Sequence, residues 1–299
     1  MYDIIIVGAG PAGLTAAIYA RRANKKVLVL EANTYGGQII NTQSIENYPV
    51  NPGISGFDFA TKLYNQVKDL KAEIKFEKVT NITETEVTTT KDTYKTKTII
   101  LATGSDKRKL NLENEEKLTG KGVSYCATCD GTFYKNKIVA VNGGGNTAVE
   151  DAIYLSDIAE TVYLIHRRDT FKAEEILINQ LKEKENIKTI MNSKITKLNG
   201  ENKLESINLT NNNNETTTLN VDGLFIAIGQ VPETENFTKI INSDEKGYII
   251  ANEDCKTNIK NIFVAGDTRT KTLRQLVTAT SDGAVAATEA IKYINENKE

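Results

Sequence analysis

The chain has 299 residues with a net charge of -2, which is long enough for two domains of ordinary size. Its basic residues are scattered, which argues against nucleic acid as a partner. The sequence contains no run of about 18 apolar residues, so we expect no membrane-spanning helix. Three cysteines are too few for a disulfide scaffold. The sequence enters a strand-like apolar run at once, without a basic leader or cleavage site, so we expect a cytoplasmic protein.

The first motif lies between a predicted strand at residues 4–7 and a predicted helix at 14–22. It reads GAGPAG, and glycines in this context allow a tight turn whose backbone approaches a pyrophosphate at the N-terminus of the helix. A second strand, 26–30, ends at Glu31, whose carboxylate can accept hydrogen bonds from a ribose diol. Glycines alone would indicate only a turn. Together, these features predict a dinucleotide site with Gly8, Gly10, Pro11, Ala12, Gly13 and Glu31.

The next region contains Gly36-Gly37-Gln38 and Asn47 in predicted loops, then a helix from about 56 to 70 and strands within 74–90. A strand at 98–101 runs into Ala102-Thr103-Gly104. This small-residue turn would let the backbone pass close to a nucleotide, although a plain tight turn explains the same residues equally well.

Two thiols follow in the stretch VSYCATCDGTF, where Cys126 and Cys129 are separated by two residues and Asp130 comes next. Thiols at this spacing can close a small disulfide and exchange electrons near neutral pH. A zinc site is the alternative, but it needs two more ligands, and neither Cys255 nor His166 stands at zinc-ligand spacing. We therefore expect a redox pair and no metal. Cys255 is expected to be an inert surface or half-buried thiol.

The strand, glycine turn and helix pattern then recurs. A strand at 137–141 leads into GGGNTA at 143–148, a helix covers 148–155, and a strand at 161–165 ends at His166-Arg167-Arg168, with Lys172 four residues further on. His166 follows Gly143 by the offset that separates Glu31 from Gly8. A basic cluster at this position binds a 2'-phosphate through charge-assisted hydrogen bonds, and two such bonds favour NADPH over NADH by roughly two orders of magnitude. A solvated basic patch is the alternative.

In the last part of the chain, predicted strands again end at a glycine. Residues 224–228 precede Gly229, and a strand at 262–265 leads into Gly266-Asp267. A small-residue helix from about 273 to 294 follows, with Arg274 and Gln275 predicted in its first turn. Asp267 is interpreted as a ligand in preference to a cap. The order of motifs predicts an α/β fold of two Rossmann-like three-layer domains, the second inserted into the first, with 1–113 and 245–299 as the first domain and 114–244 as the second.

Taken together, GAGPAG, GGQ, ATG, VSYCATCDG, GGGNTAVE, HRR, AIG, VAGD and RQ resemble the low-molecular-weight thioredoxin reductases, and the resemblance covers essentially the whole chain. It implies two sets of cofactor residues. FAD would be held by Gly8 to Gly13, Glu31, Gly37, Gln38, Asn47, Thr103, Gly104, Gly266, Asp267, Arg274 and Gln275. NADPH would be held by Gly143, Gly145, Asn146, Thr147, Ala148, His166, Arg167, Arg168 and Lys172. The family usually has Arg at Lys172 and an apolar residue at Asn142, and a lysine keeps the charge but loses the planar fork.

The resemblance further implies electron transfer from NADPH through FAD to the Cys126–Cys129 disulfide and then to oxidised thioredoxin. Cys129 would lie closest to the flavin, with Cys126 as its partner and Asp130 as the acid. The dithiol and the nicotinamide site fall in one predicted domain and the flavin in the other, so we expect the inserted domain to rotate about linkers near 113–118 and 242–248. A homodimer is also expected.

Alternative functions differ in the motifs they require. A same-fold reductase that uses ferredoxin or another donor would lack the GGGxxA and HRR elements, and a ferredoxin:NADP reductase would lack the CxxC. A thiol oxidase that passes electrons to oxygen remains open on motifs alone. A flavin-binding redox sensor has no need of a reductant site, a flavin and a dithiol in series. The motifs therefore favour an NADPH-dependent disulfide reductase.

Overall fold

A computed structural model of the chain describes residues 1–42, 45 and 47–297, and the chain divides into two compact units. Unit 1 consists of Met1–Asp106 and Val231–Glu299, and unit 2 is Lys107–Gln230. Unit 2 is thus inserted into unit 1. Each unit contains a parallel sheet with packed elements on both faces, so the predicted α/β fold of two three-layer Rossmann-like domains is confirmed.

The boundaries of the units lie earlier in the chain than 113/114 and 244/245, where the sequence analysis put the domain boundaries. Leu110 and Leu112 pack against the core of unit 2, and Phe237 and Ile241 are buried in the core of unit 1. These contacts assign the segment with Leu110 and Leu112 to unit 2 and the segment with Phe237 and Ile241 to unit 1. As a result, residues 242–248, one of the expected linkers, lie inside unit 1.

Unit 1 is built on strands that follow the predicted ones closely. Its strands are β1 (Tyr2–Val7), β2 (Val27–Glu31), β3 (Glu73–Phe76), β4 (Val79–Ile82), β5 (Glu86–Thr89), β6 (Thr93–Leu101) and β17 (Ile262–Val264). Its helices are α1 (Pro11–Arg22), α2 (Gly56–Asp69) and α7 (Leu276–Glu296), with 3-10 turns at Gly37–Asn41 and Gly266–Thr268.

The sheet of unit 1 has the order β3-β2-β1-β6-β5-β4, and β17 also pairs with β6. Strands β1, β2, β3, β6 and β17 are parallel, whereas β4 and β5 form an antiparallel extension. One core packs α1 and α7 on one face of the sheet, and a second core lies on the other face. β-branched runs such as Ile4, Ile5 and Ile6 are fully buried because both faces are covered.

Unit 2 repeats this architecture on a smaller scale. Its strands are β8 (Val123–Ser124), β9 (Ile138–Asn142), β10 (Thr161–Ile165), β11 (Ile187–Ile190), β12 (Ser193–Asn199), β13 (Ser206–Asn211), β14 (Thr216–Asn220) and β15 (Gly223–Ile226). Its helices are α3 (Glu115–Leu118), α4 (Ala127–Asp130), α5 (Asn146–Ser156) and α6 (Glu175–Lys182), and a 3-10 turn covers Gly131–Tyr134. Two short strands, β7 (Ser105–Lys107) and β16 (Gln230–Pro232), lie where the chain passes between the units.

The parallel sheet of unit 2 has the order β11-β10-β9-β15-β8. Helices α5 and α6 pack on one face, and the antiparallel sheet β12-β13-β14 contributes to the core on the other. The carboxyl ends of β9 and β10 therefore meet at one edge of the sheet, next to the start of α5. This edge is where a Rossmann-like fold binds its ligand.

The start of the last helix differs from the prediction. Helix α7 begins at Leu276, so Arg274 and Gln275 precede it and do not lie in its first turn. Gln275 is the N-cap, and its side chain and that of Thr278 form a reciprocal capping box. This capping pair ends the extended segment before the helix.

Helices α1 and α7 approach closely at a small-residue contact in unit 1. A Cβ atom placed on Gly283 would lie 2.2 Å from the carbonyl oxygen of Ala12, and the neighbouring Ala16 and Ala287 are fully buried. The obstructing atom is backbone, which cannot rotate away as a side chain can. The distance between the two helices therefore depends on glycine at this position.

The substitution Gly283→Ala should lower the free energy of unfolding by about 2 kcal/mol or more, because the methyl group forces α7 away from α1. Ser281→Ala, on the exposed side of the same helix, is the control and should change it by less than about 0.5 kcal/mol. Thermal unfolding followed by circular dichroism measures both. Equal midpoints for the two variants would contradict the close contact.

Candidate active site and nucleotide sites

The two predicted redox cysteines are joined in unit 2. Cys126 and Cys129 form a disulfide with their Cα atoms 5.3 Å apart, and both residues are partly exposed. Cys126 stands just before α4, and Cys129 lies within that short helix. A partly exposed disulfide in a short turn can be reached by an attacking thiolate.

Asp130, the predicted acid, is held next to this disulfide by a serine. The hydroxyl of Ser124 donates to Oδ2 of Asp130 at 2.6 Å, and the backbone N–H of Cys126 donates to the same hydroxyl at 3.1 Å. Ser124 therefore links the carboxyl group of Asp130 to the backbone of the first cysteine. Ser124 could not be identified from the sequence, because a serine two residues before a cysteine carries no signal of its own.

A further pair of charged residues, the half-buried Lys107 and Asp151, lies close to this disulfide loop. Nζ of Lys107 donates to the carbonyl oxygen of Tyr125, and burial lowers the pKa of Lys107 against the attraction of Asp151 and Asp130. Burial also raises the pKa of Asp151 to about 7, although Lys107 opposes this increase. Asp151 lies on α5, next to the exposed Glu150. Neither residue was identified from the sequence, because Lys107 lies where the chain passes between the units and Asp151 directly follows the exposed Glu150 in α5.

The second glycine turn forms a tight loop between β9 and α5. A Cβ atom on Gly143 would lie 2.3 Å from the carbonyl oxygen of Ala227, so the turn touches the end of β15. At Gly145, by contrast, nothing lies within 4 Å of the same position, and both Gly145 and Thr147 are exposed. The turn is thus closed against the protein on one side and open to solvent at the start of α5. This is the arrangement that a pyrophosphate requires.

His166 packs over this turn. A Cβ atom on Gly144 would lie 2.2 Å from the imidazole ring, which also stacks with the ring of Phe171 at a centroid distance of 5.6 Å. Its Nε2 atom is buried and has no hydrogen-bond partner among the described residues. Burial lowers the pKa of His166, and the charges of Arg168, Arg167 and Lys172 lower it further. The buried and unpaired nitrogen fits a site that is completed by a polar ligand.

The basic side chains that follow are exposed. Arg167, Arg168 and Lys172 belong to the loop between β10 and α6, and the backbone N–H of Lys172 donates to the carbonyl oxygen of Gly144 at 2.6 Å. The structure thus brings the basic loop and the glycine turn together, as the sequence spacing predicted. Asn146 and Ala148, also predicted at this site, begin α5.

The first glycine turn forms the corresponding loop in unit 1. Gly8 has a φ of 108°, and a Cβ atom there would lie 2.3 Å from the carbonyl oxygen of Ala102. The carboxylate of Glu31 accepts from the backbone N–H of Ala9 at 2.7 Å and from that of Asn33 at 2.9 Å. Gly37 lies against Gly10, since a Cβ atom on Gly37 would be 3.3 Å from the Cα atom of Gly10. The structure therefore brings Glu31, Gly10 and Gly37 to one turn.

Asp267 stands at the carboxyl end of β17, directly after Gly266. Oδ1 of Asp267 is buried without a hydrogen-bond partner among the described residues, and burial raises the pKa of this carboxyl group. Because its side chain caps no helix, an unpaired acceptor here indicates a ligand group. Both predicted nucleotide sites thus contain a buried polar atom that has no partner within residues 1–42, 45 and 47–297.

Arg274 and Gln275 contact other parts of unit 1. The guanidinium group of Arg274 lies 4.0 Å from the ring centroid of Tyr248 and donates to carbonyl oxygens of the 267–271 loop. Oε1 of Gln275 accepts from Nδ2 of Asn47 at 3.1 Å. Arg274 therefore shapes the loop that carries Asp267, and Asn47 and Gln275 lie together as expected for residues of one site.

The remaining predicted residues of unit 1 are held by hydrogen bonds within that unit. Nε2 of Gln38 donates to Asp106 at 2.6 Å, and the hydroxyl of Thr103 donates to the carbonyl oxygen of Glu233 at 2.9 Å. Gly104 has a φ of 72°, a conformation that favours glycine. Thr103 and Gly104 follow β6 and thus border the same edge of the sheet as Gly8.

A buried ionic cluster under the Gly266-Asp267 turn was missed by sequence analysis. Both carboxylate oxygens of Asp282 bind Arg269, at 2.8 and 2.9 Å, and Oδ2 also accepts from Nζ of Lys271 and from the backbone N–H of Gly266. Burial opposes ionisation of Asp282, but the hydrogen bonds from Arg269 and Lys271 outweigh it and lower the pKa. The sequence signal that could have revealed this cluster is Asp282, an acid among the small residues of α7.

Cys255 was expected on the surface or half-buried, and this prediction is wrong. The residue is completely buried in the core of unit 1, with its Sγ 3.7 Å from the carbonyl oxygen of Asp282. Burial raises the pKa of this thiol to about 12. It is therefore unreactive at neutral pH, as the sequence analysis expected.

No group of three or more His, Cys, Asp or Glu side chains among the described residues could hold a metal ion. In the part of the chain that the structure describes, no helix is both long and apolar enough to cross a membrane.

Comparisons with known proteins agree with this arrangement. Residues 2–283 match the family described as pyridine nucleotide-disulphide oxidoreductase. A thioredoxin reductase of Listeria innocua is 42% identical over 305 residues, covering 100% of this chain and 96% of the relative. The crystal structure of Lactococcus lactis thioredoxin reductase is 40% identical with a TM-score of 0.78, covering 99% and 100% of the two chains. That of the Streptococcus pyogenes enzyme is 38% identical with a TM-score of 0.83, covering 99% of each.

The raised pKa of Asp151 generates a pH-dependent stability. An aspartate in the unfolded chain has a pKa of about 4, whereas the folded value is about 7. Between these values the folded state binds the extra proton, so the free energy of unfolding falls as pH rises. Asp151→Asn should raise the unfolding midpoint at about pH 8 by about 3 °C or more and change it little near pH 4.

Glu150→Gln is the matched control, because it removes an exposed carboxylate at the adjacent position. The difference in unfolding midpoint between Glu150→Gln and the unmodified protein should be the same at both pH values. The interpretation fails if Asp151→Asn shifts the midpoint equally at both pH values.

Proposed function

The chain belongs to the pyridine nucleotide-disulphide oxidoreductase family and, within it, to the thioredoxin reductases, and from this we propose that it uses NADPH to reduce oxidised thioredoxin. The internal disulfide Cys126–Cys129 is the group that passes the electrons to thioredoxin. Each turnover converts NADPH, one proton and the thioredoxin disulfide into NADP⁺ and the thioredoxin dithiol.

One observation carries this proposal. The Cys126–Cys129 disulfide lies in the same unit as a glycine turn that is open at the start of α5 and bordered by Arg167 and Arg168. A binding module needs a nucleotide turn but no accessible disulfide, and a structural disulfide needs no reductant site. The combination supports a disulfide reductase.

The NADPH site is proposed in unit 2. The pyrophosphate would lie at the open turn before α5, where backbone N–H groups and the helix N-terminus favour negative charge. The basic loop would bind the 2'-phosphate, which distinguishes NADPH from NADH. The residues proposed at this site are Gly143, Gly145, Asn146, Thr147, Ala148, His166, Arg167, Arg168 and Lys172.

The FAD site is proposed in unit 1, around the turn at Gly8 and the unpaired carboxyl oxygen of Asp267. FAD, when bound, supplies the electron carrier between the nicotinamide nucleotide and the protein disulfide. The residues proposed to hold it are Gly8, Gly10, Pro11, Ala12, Gly13, Glu31, Gly37, Gln38, Asn47, Thr103, Gly104, Gly266, Asp267, Arg274 and Gln275. Of these, Glu31 already supports the turn through the N–H of Ala9, so a ribose diol would use its remaining lone pairs.

The dithiol and its acid have separate roles. A thiolate of the reduced pair attacks the thioredoxin disulfide, and the second thiolate resolves the mixed disulfide that forms, so that thioredoxin leaves as a dithiol. We assign Cys129 as the sulfur closest to the flavin and Cys126 as its partner. Asp130 supplies the proton that the departing thiolate needs, and Ser124 keeps its carboxyl group next to Cys126.

The division of sites between the units has a mechanical consequence. The disulfide and the NADPH site belong to unit 2, whereas the FAD site belongs to unit 1, and both the disulfide and the nicotinamide must reach the flavin in turn. We therefore propose that unit 2 rotates relative to unit 1 during turnover, about the passages at 106–107 and 230–231. The protein is further proposed to be a cytoplasmic homodimer.

Anaerobic addition of NADPH to the FAD-loaded protein should bleach the flavin absorbance, and oxidised thioredoxin should restore it. Arg168→Ala should raise the KM for NADPH about tenfold, because one charge-assisted hydrogen bond is lost, and leave the KM for NADH within about twofold. Cys129→Ser is the control for the second half of the reaction and should abolish the recovery with thioredoxin. If NADPH does not bleach the flavin but reduced ferredoxin does, the protein uses another donor.

Rotation of the units is tested by a cross-link. A short bifunctional reagent that joins unit 1 to unit 2 should lower the turnover number at least about tenfold, because one of the two electron-transfer arrangements is blocked. The same reagent applied to two sites within unit 1 is the control and should have little effect. Full turnover of the protein joined across the units would refute the proposed rotation.

A further inference from the structure

The loop between β10 and α6, residues 166–174, carries the whole basic cluster and is fixed at its beginning by backbone hydrogen bonds. The N–H of His166 donates to the carbonyl oxygen of Ile190 at 2.9 Å, and the N–H of Ser193 donates to the carbonyl oxygen of His166 at 3.1 Å. The N–H of Asn192 donates to the carbonyl oxygen of Arg168 at 3.1 Å. The first half of the loop is therefore attached to the segment that joins β11 and β12.

The second half of the loop is held by the backbone hydrogen bond from Lys172 to Gly144 and by the contact between Glu174 and Asn146. Nδ2 of Asn146 donates to Oε1 of Glu174 at 2.9 Å, and the backbone N–H of Glu174 donates to Oδ1 of Asn146 at 3.0 Å. Asn146 is the first residue of α5. The pair therefore joins the end of the basic loop to the start of the helix that follows the glycine turn.

Glu174 is itself fixed by the next helix. It is the N-cap residue of α6, and its carbonyl oxygen accepts from the N–H groups of Leu177 at 3.0 Å and Ile178 at 3.1 Å. Its backbone position is thus set by α6, and its side chain transmits that position to α5. A loop whose ends are both fixed loses little further entropy when it binds a ligand.

Glu174 is negatively charged, so its role cannot be to attract the phosphate groups of the nucleotide. A carboxylate at the end of this basic loop repels a phosphate group and attracts the cations that should bind the phosphate. An acid at the end of an anion-binding loop therefore weakens binding through charge alone. Its two hydrogen bonds with Asn146 offer a geometric gain instead.

We propose that Glu174 is a positioning residue that determines the preference for NADPH over NADH, because its hydrogen-bonded pair with Asn146 holds the basic loop over the glycine turn. This inference rests on the proposed function and deepens it. It also gives Asn146 a second role: one hydrogen of its amide nitrogen and one lone pair of its amide oxygen are engaged by Glu174, so Asn146 supports the basic loop in addition to its proposed place at the NADPH site.

The test compares binding of adenosine 2',5'-bisphosphate and 5'-AMP to the FAD-loaded protein by isothermal titration calorimetry, with KM values for NADPH and NADH as a second readout. Glu174→Ala should weaken binding of the bisphosphate about tenfold and change that of 5'-AMP less than about twofold. The KM for NADPH should rise by the same factor while kcat is retained. Charge alone would have the opposite effect and tighten binding of the bisphosphate.

Two further variants separate geometry from charge. Glu174→Gln also removes the charge, but its amide oxygen can accept from Asn146, so it should retain binding within about threefold. Glu175→Ala removes an exposed carboxylate at the adjacent position and should leave binding unchanged or slightly tighter. Unchanged or tighter binding of the bisphosphate by Glu174→Ala overturns the inference, as does an equal loss for both nucleotides. If the unmodified protein does not prefer the bisphosphate to 5'-AMP, the proposed NADPH site fails as well.

Discussion

The structure depends on one backbone contact that occurs once in each unit. The first glycine of each turn lies so close to the end of a neighbouring strand that a Cβ atom would be 2.3 Å from a carbonyl oxygen, at Gly8 against Ala102 and at Gly143 against Ala227. No side chain larger than hydrogen fits, and the contact places the turn in the crevice at the carboxyl ends of the strands. The helix N-terminus, the acidic or basic residue after the second strand and the unpaired polar atom are arranged around this crevice.

The two units differ most at the position after their second strand. In unit 1, Glu31 binds the N–H of Ala9 and so stabilises the turn itself. In unit 2, His166 stands at the corresponding position, packs over Gly144 and is followed by two exposed arginines. The same backbone frame therefore presents an acceptor in one unit and cations in the other. This difference supports the proposal that the two units bind different nucleotides.

The fold was predicted well because its signals are local. β-branched runs such as Ile4–Val7 and the two glycine turns each fit within a few residues, and the Cys126–Cys129 spacing does as well. The contact between Asn146 and Glu174 joins residues that are far apart in the sequence, and an exposed glutamate gives no sign of its partner. The position of Phe237 in unit 1 could not be predicted either, because an apolar residue after a polar segment fits the core of either unit.

The buried cluster below the Gly266-Asp267 turn shows how charge can fix a turn before a ligand binds. Arg269, Lys271 and the N–H of Gly266 use the hydrogen-bonding capacity of Asp282, and its lowered pKa keeps it ionised. Asp282 therefore has little capacity left for a ligand, whereas the nearby Oδ1 of Asp267 has no partner in the part of the chain that the structure describes. Because the N–H of Gly266 donates to this buried cluster, a shift of the backbone at Gly266 would leave a buried donor unpaired, at a cost of about 1–3 kcal/mol. The free carboxyl oxygen is thus presented by a rigid support, which lowers the entropy lost when a polar group binds it.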